Sequence, residues 1–285
     1  MQHHAHKRSS NLWIRLAVGV GLLALFCVQC VESGGSSGGG RLVAATVAEP
    51  SESPTSSSEA LDAIEALART DPMGLLDRCL SHYDRTVEDY TCRFIKLERI
   101  EGRLSETEEI DVRFMDDPFS VAMRWRKNAP LADRCLYVAG AHDGHMLLRP
   151  RGLLSLVGTV RRKPDCDQVM ENTLRPITLF GFRNSLEQLI TISARAAERG
   201  ELKWNYVGRQ RVVKRLAFVL ERYLPEDKDY PAYRTRVYID AERLLPICVE
   251  AWDMKDRLLC RYAFANVKLN TGLTAGDFEP GANGM

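Results

Sequence analysis

VYIDAERLLPICVEAWDMKDRLLCRYAFANVKLNTGLTAGDFEP, residues 237–280, reads as three antiparallel strands in series. The first closes at Ile239-Asp240. Leu245-Pro246 opens the second, which runs through Val249 and Trp252. The polar turn Asp253-Met254-Lys255-Asp256 leads to the third, from Leu258 through Tyr262 and Phe264 to Val267. Alternating apolar residues bounded by Asp, Pro, Gly and Asn mark strands and their turns. Asn270-Thr271-Gly272 ends the run.

The same alternation recurs upstream, over 90–100, 110–114, 119–125, 136–138, 146–148, 202–207, 212–223 and 233–239. With the last two strands of the quoted stretch this makes about ten, joined by short polar turns, which is the pattern of an antiparallel meander. Two helices come first. Leu61, Ile64 and Leu67 are helically spaced over Ser58–Arg69. Asp71 then serves as N-cap and Pro72 as first helical residue, ahead of an apolar stripe of Leu75, Leu76, Cys79, Leu80 and Tyr83. A third helix is expected from Asn184 or Ser185 to Ala197. Between Gly152 and Pro176 neither period holds, and the apolar Leu153, Leu154, Leu156 and Val157 predict a long loop.

The C-terminal order is specific: a strand ending in Ile-Asp, Leu-Pro, a strand, an acidic turn, a Tyr-x-Phe strand, Asn, then Asp-Phe-x-Pro. It resembles the C-terminal half of the lipoprotein-carrier (LolA/LolB-like) superfamily of the bacterial envelope. Within it, the chain looks like an uncharacterised envelope family, domain of unknown function 1571. The resemblance extends over 71–280. It implies an α+β fold, with a strongly curved antiparallel β-sheet (a half-barrel) whose concave face is covered by helices. It implies noncatalytic binding of a lipid acyl chain or lipoprotein in the hollow. The alternative is an envelope scaffold or sensor that binds a protein through the same fold.

The expected hollow lining is aromatic: Phe114, Trp125, Trp204, Trp252 and Phe264, all in predicted strands. Lipoprotein carriers also place a polar or basic residue among the apolar lining, and Arg93 and Arg124 are the strand residues that could serve. Leu153, Leu154, Arg161 and Arg162 form a candidate membrane contact, an apolar segment beside basic residues suited to anionic headgroups.

The first forty residues are not expected to join the fold. Lys7, Arg8 and Arg15 precede an uncharged apolar run from Leu16 to Val28. That length suits a signal-peptide core of roughly 7–15 residues better than a spanning helix of about 20. A cleaved signal near Ser33, an uncleaved anchor beginning at Leu12, and lipidation of Cys27 or Cys30 all remain open, and all place the rest outside the cytoplasm. The expected organisation is residues 1–33 as signal or anchor, 34–59 as a Gly/Ser/Pro-rich tether, and 60–282 as a single domain.

Net charge is +1 over 285 residues, which gives no reason to expect nucleic-acid binding. Six cysteines lie beyond the leader without a Cys-x-x-Cys spacing, so zinc and thioredoxin-like readings are weak and buried free thiols are expected. A turn at 253–257 would set Cys248 opposite Tyr262 and leave Cys260 diagonal to it, too far for a relaxed bridge.

Little points to catalysis. His142-Asp143-Gly144-His145 reads as a two-residue hairpin turn with its histidines side by side, too few ligands for a closed metal site. No Gly-x-Ser-x-Gly elbow or phosphate-binding glycine loop is present. Of the acidic run Glu106, Glu108, Glu109 and Asp111, Glu106 and Glu108 alternate with Thr107 on a strand, which reads as a solvated face. No catalytic residue, metal or cofactor is expected.

Overall fold

A computed structural model describes residues 54–226 and 229–285; the side chains of 54–57 and 153–155 also lie outside the description. The expected signal or anchor and most of the tether therefore lie outside the described residues, as do the side chains of Leu153 and Leu154. Residues Ser58–Met285 form one compact unit.

The chain opens with α1 (Pro54–Thr70) and α2 (Pro72–Thr86). The Asp71 carboxylate accepts the amide of Gly74 at 2.9 Å, which satisfies one of the free N–H groups at the start of α2. β1 (Asp89–Ile100), β2 (Arg103–Leu104), β3 (Glu108–Met115), β4 (Ser120–Lys127), β5 (Ala132–Val138) and β6 (Met146–Pro150) follow as a meander. The segment without sequence period holds a 3-10 turn (Gly152–Val157), the short β7 (Val160–Arg162) and α3 (Asp167–Met170). Then come α4 (Phe182–Glu198), β8 (Lys203–Val212), β9 (Arg215–Tyr223), β10 (Arg234–Asp240), β11 (Pro246–Trp252) and β12 (Leu258–Leu269).

The sheet order is β7-β6-β5-β4-β3-β1-β12-β11-β10-β9-β8, every pairing antiparallel, with β2 added on β1. β7 and β8 do not meet, so the sheet is a curved half-barrel with two edges, as the fold class anticipated. The centre joins the first long strand to the last: Phe94 faces Phe264 and Lys96 faces Tyr262.

The helices bury their stripes on one face of β9–β11. Leu75, Leu76 and Cys79 of α2 and Leu186 and Leu189 of α4 pack with Phe218, Leu220, Val237, Ile239 and Val249. Each such side chain fully buried contributes about 1.5–3 kcal/mol. A second apolar cluster centres on Tyr90, Phe94, Phe114, Phe182 and Phe264.

The C-terminal motif has a structural explanation. Asp89, at the start of β1, accepts the amides of Thr271, Gly272 and Leu273 at 2.7, 3.1 and 3.2 Å. Asn270 accepts the amide of Glu88, and Asp277 caps Thr274. The Asn thus pins the chain end against the first strand, and Phe278 of the Asp-Phe packs on Met115, Ala122, Leu136 and Leu147.

Three local expectations are corrected. The connection after β5 is not a two-residue hairpin: it occupies 139–145, with positive φ at His142, Asp143 and Gly144. β5 stops at Val138 and β6 starts at Met146, so the chain needs a wider loop. Cys248 faces Ala263, one residue from the expected partner, because a bulge falls between Ala251 and Trp252. A one-residue slip reverses faces, so Cys248 and Cys260 lie on opposite sides of the sheet. All six described cysteines are free, and only Cys166 is not buried. The third correction concerns Glu108.

Candidate functional site

Period-two geometry sends alternate residues of each strand to one face. On the helix-bearing face, β1 presents Phe94, Lys96 and Glu98, β3 Ile110, β4 Met123 and Trp125, and β12 Tyr262 and Phe264. The helices cover only part of this face. Over the rest runs the 168–181 segment, and between it and the sheet lies a cavity of about 700 Å³. Its walls are mainly apolar. Leu131 and Leu179 lie in the lining yet remain 52% and 38% exposed, which marks the open side. This volume falls within the usual range of small-molecule sites, about 300–1,000 Å³.

A buried polar network sits on the sheet wall. Lys96 Nζ lies 3.2 Å from Glu98 and 3.1 Å from Glu108. Tyr262 donates its hydroxyl to Glu98, and Trp125 donates its indole N–H to Glu108. Glu98 also accepts the amide of Leu174 at 3.2 Å, which ties the covering segment to the sheet. Burial opposes the Lys96 charge, but Glu98 and Glu108 outweigh it and hold the ammonium above the ordinary lysine range. Burial, against the pull of Lys96, lifts Glu108 above the ordinary carboxylate range.

Glu108 is thus no solvated surface residue. It shares the parity of Ile110, Val112 and Phe114 and is 4% exposed. Glu109 and Asp111 do face outward, where they meet Arg93 at 3.2 and 2.6 Å. Arg93 and Arg124 therefore stand on the face opposite the cavity, Arg124 paired in register with Asp111. Lys96 takes the place in the lining proposed for them.

The five aromatic candidates separate. Trp125 and Phe264 line the cavity. Phe114 is on the same face but is sealed beneath Phe180 and stacked on Tyr90. Trp204 packs in the helix-covered cluster. Trp252 lies under the guanidinium groups of Arg234 and Arg236, at 4.2 and 5.5 Å, on the far side of the sheet. Arg162 lines the cavity, and Arg161 instead pairs with Asp143 at 3.5 Å. Arg175, which sequence reasoning passed over, also lines it. Nothing in its local sequence marks it, since its segment has no period.

Among the described residues no group of three His, Cys, Asp or Glu side chains is placed to hold a metal ion. No described helix is long and apolar enough to cross a membrane.

No curated protein matches the chain. Solved structures resemble it at low identity. MucB is 21% identical with a TM-score of 0.45, over 73% of this chain and 62% of that one. A putative outer membrane lipoprotein-sorting protein domain from Vibrio parahaemolyticus is 14% identical with a TM-score of 0.38, over 75% and 98%. The Mycobacterium tuberculosis lipoprotein LppX is 10% identical with a TM-score of 0.40, over 72% and 99%. The chain thus spans 62% of the length of MucB. A family model matches residues 87–284, which takes in every strand of the sheet, and by that match the chain belongs to the family described as protein of unknown function, DUF1571.

Proposed function

We propose that this protein is a noncatalytic binder of the bacterial envelope that holds an acyl chain, free or as part of a lipoprotein, in the hollow of its sheet. The observation that carries this reading is the open, mainly apolar cavity of about 700 Å³ lined by Phe94, Trp125 and Phe264. Each methylene transferred from water contributes about 0.8 kcal/mol, so ten of them contribute about 8 kcal/mol before the costs of association. The carboxylates on the cavity's sheet wall, Glu98 and Glu108, are engaged with Lys96, Tyr262 and Trp125, while Glu171 of the covering segment is exposed. The N-terminal sequence would deliver the domain to the periplasm or hold it at a membrane. Exposed Leu156 and Val157, between the lining residues Pro150 and Val160, support contact of the cavity rim with lipid.

A second reading, a scaffold that receives a partner's strand, is favoured by β8, a ten-residue edge of the sheet. Native mass spectrometry of the protein purified from a bacterial periplasm, with organic extraction of anything bound, decides between them. A stoichiometric lipid or lipopeptide lost in solvent is the expected result. A clean apo mass with no uptake of added lipid would overturn the carrier reading in favour of the scaffold.

A further inference from the structure

The cavity's charges are unevenly satisfied. Glu98 and Glu108 have their partners in Lys96, Tyr262, Leu174 and Trp125. Glu171, the remaining carboxylate of the lining, is exposed to solvent, which screens its charge. The two arginines of the lining meet no carboxylate among the described residues. Arg162 donates to Gln168 at 2.7 Å and to the carbonyl of Arg161 at 2.8 Å, both neutral acceptors. The Arg175 guanidinium makes no hydrogen bond among the described residues; it lies over the Tyr262 ring, 5.3 Å from the centroid. A third arginine adds to the field. Arg222, buried behind α4, has only the Leu189 carbonyl, Ser193 and Thr235 as acceptors, and its Nε has none. It is close enough to Arg175 for the two charges to disfavour each other.

A half-buried guanidinium with all its donors free, beside an apolar hollow, is the arrangement that receives an oxyanion carried on a hydrocarbon. Its planar fork matches a carboxylate or a phosphate with two parallel hydrogen bonds. Removal from bulk water strengthens the attraction, and the uncompensated Arg222 reinforces its sign.

Resting on the acyl-chain reading above, we propose that the ligand is an amphiphile with an anionic head, its tail among Phe94, Met123, Trp125 and Phe264 and its head oxygens on Arg175. Arg162 is the second cation of the lining and biases the cavity the same way. Lys96 is not the head contact, because both carboxylates beside it already take its protons.

The test titrates the full chain, stripped of bound lipid, with dodecanoate, dodecyl phosphate and the uncharged dodecanol, read by calorimetry. Both anions should bind about tenfold or more tighter than dodecanol, the range expected of a charged hydrogen-bonded contact. Arg175→Gln should remove most of that preference, the remainder being Arg162's, and leave dodecanol unchanged, and Arg175→Lys should keep a larger part of it. The carboxylate and phosphate arms tell which head is preferred. Equal affinity for all three probes would overturn the anionic head and leave the apolar reading standing; a loss in Arg175→Gln that is the same for all three would overturn the placing of the head on Arg175. Failure of every probe to bind would overturn both.

Discussion

Arg222 donates from Nη1 to Ser193 Oγ at 3.0 Å, and among the described residues no carboxylate meets this buried guanidinium. Burial, helped by the repulsion of Arg175, pushes its pKa down to about 10, a cost of about 3 kcal/mol at neutral pH. Its neutral acceptors offset only part of this. Arg222→Met, of similar volume, is expected to raise unfolding free energy by about 1–2 kcal/mol in chemical denaturation. A decrease would show that the bonds to α4 outweigh the desolvation.

Gly181 precedes α4 at φ 111°, and a Cβ there would stand 3.1 Å from the Phe114 ring and 3.3 Å from the Tyr90 hydroxyl. Both rings are buried and cannot give way. Gly181→Ala should cost about 1–3 kcal/mol from the backbone alone, with more from the clash. Thermal unfolding measures it; an unchanged midpoint would mean that α4 shifts freely.

Asp240 is buried and bonded to Arg215 at 2.7 and 2.9 Å. Burial would raise its pKa, but Arg215 and the amides of Arg243 and Glu242 prevail and hold it below the ordinary range. A depressed carboxylate contributes stability that is present above its unfolded value, near 4, and lost as pH falls through the folded value. Asp240→Asn should therefore cost about 3 kcal/mol at pH 7 and progressively less below pH 4. A constant deficit across the acid range would contradict the linkage.

Glu98 holds Leu174 and Tyr262 together. Glu98→Ala should speed amide exchange at Leu174 and its neighbours tenfold or more, by removing about 1.5–3 kcal/mol of charged hydrogen bonding. Exchange read by mass spectrometry checks this. Unchanged protection would place the anchor of the covering segment elsewhere.

Much of the sheet was legible because one face of each strand is buried, and burial enforces a period of two. The same period could have located the polar network: Lys96 has the parity of Cys92 and Phe94, and Glu108 that of Ile110 and Phe114. Acidic composition obscured this, since four carboxylates in six residues look solvated until each is assigned a face. The register of Cys248 was lost to a bulge, which leaves no residue signature at Ala251-Trp252. Arg175 was invisible for a deeper reason. Its segment is irregular, and its surroundings come from distant strands: its neighbour Leu174 bonds to Glu98, 76 residues away, and its own guanidinium lies over Tyr262, 87 residues away.

The pairing of β1 with β12 also sets a timetable. Most neighbouring strands of the sheet are joined by short connections, but β1 and β12 enclose nearly the whole domain. Closing so long a loop is slow, since its entropy is lost before any contact compensates. A chain still being synthesised can therefore form two separate meanders, β1 to β7 and β8 to β11, each with a bare inner edge. Only when Leu258–Leu269 has emerged can those edges be bridged and the walls of the cavity brought together.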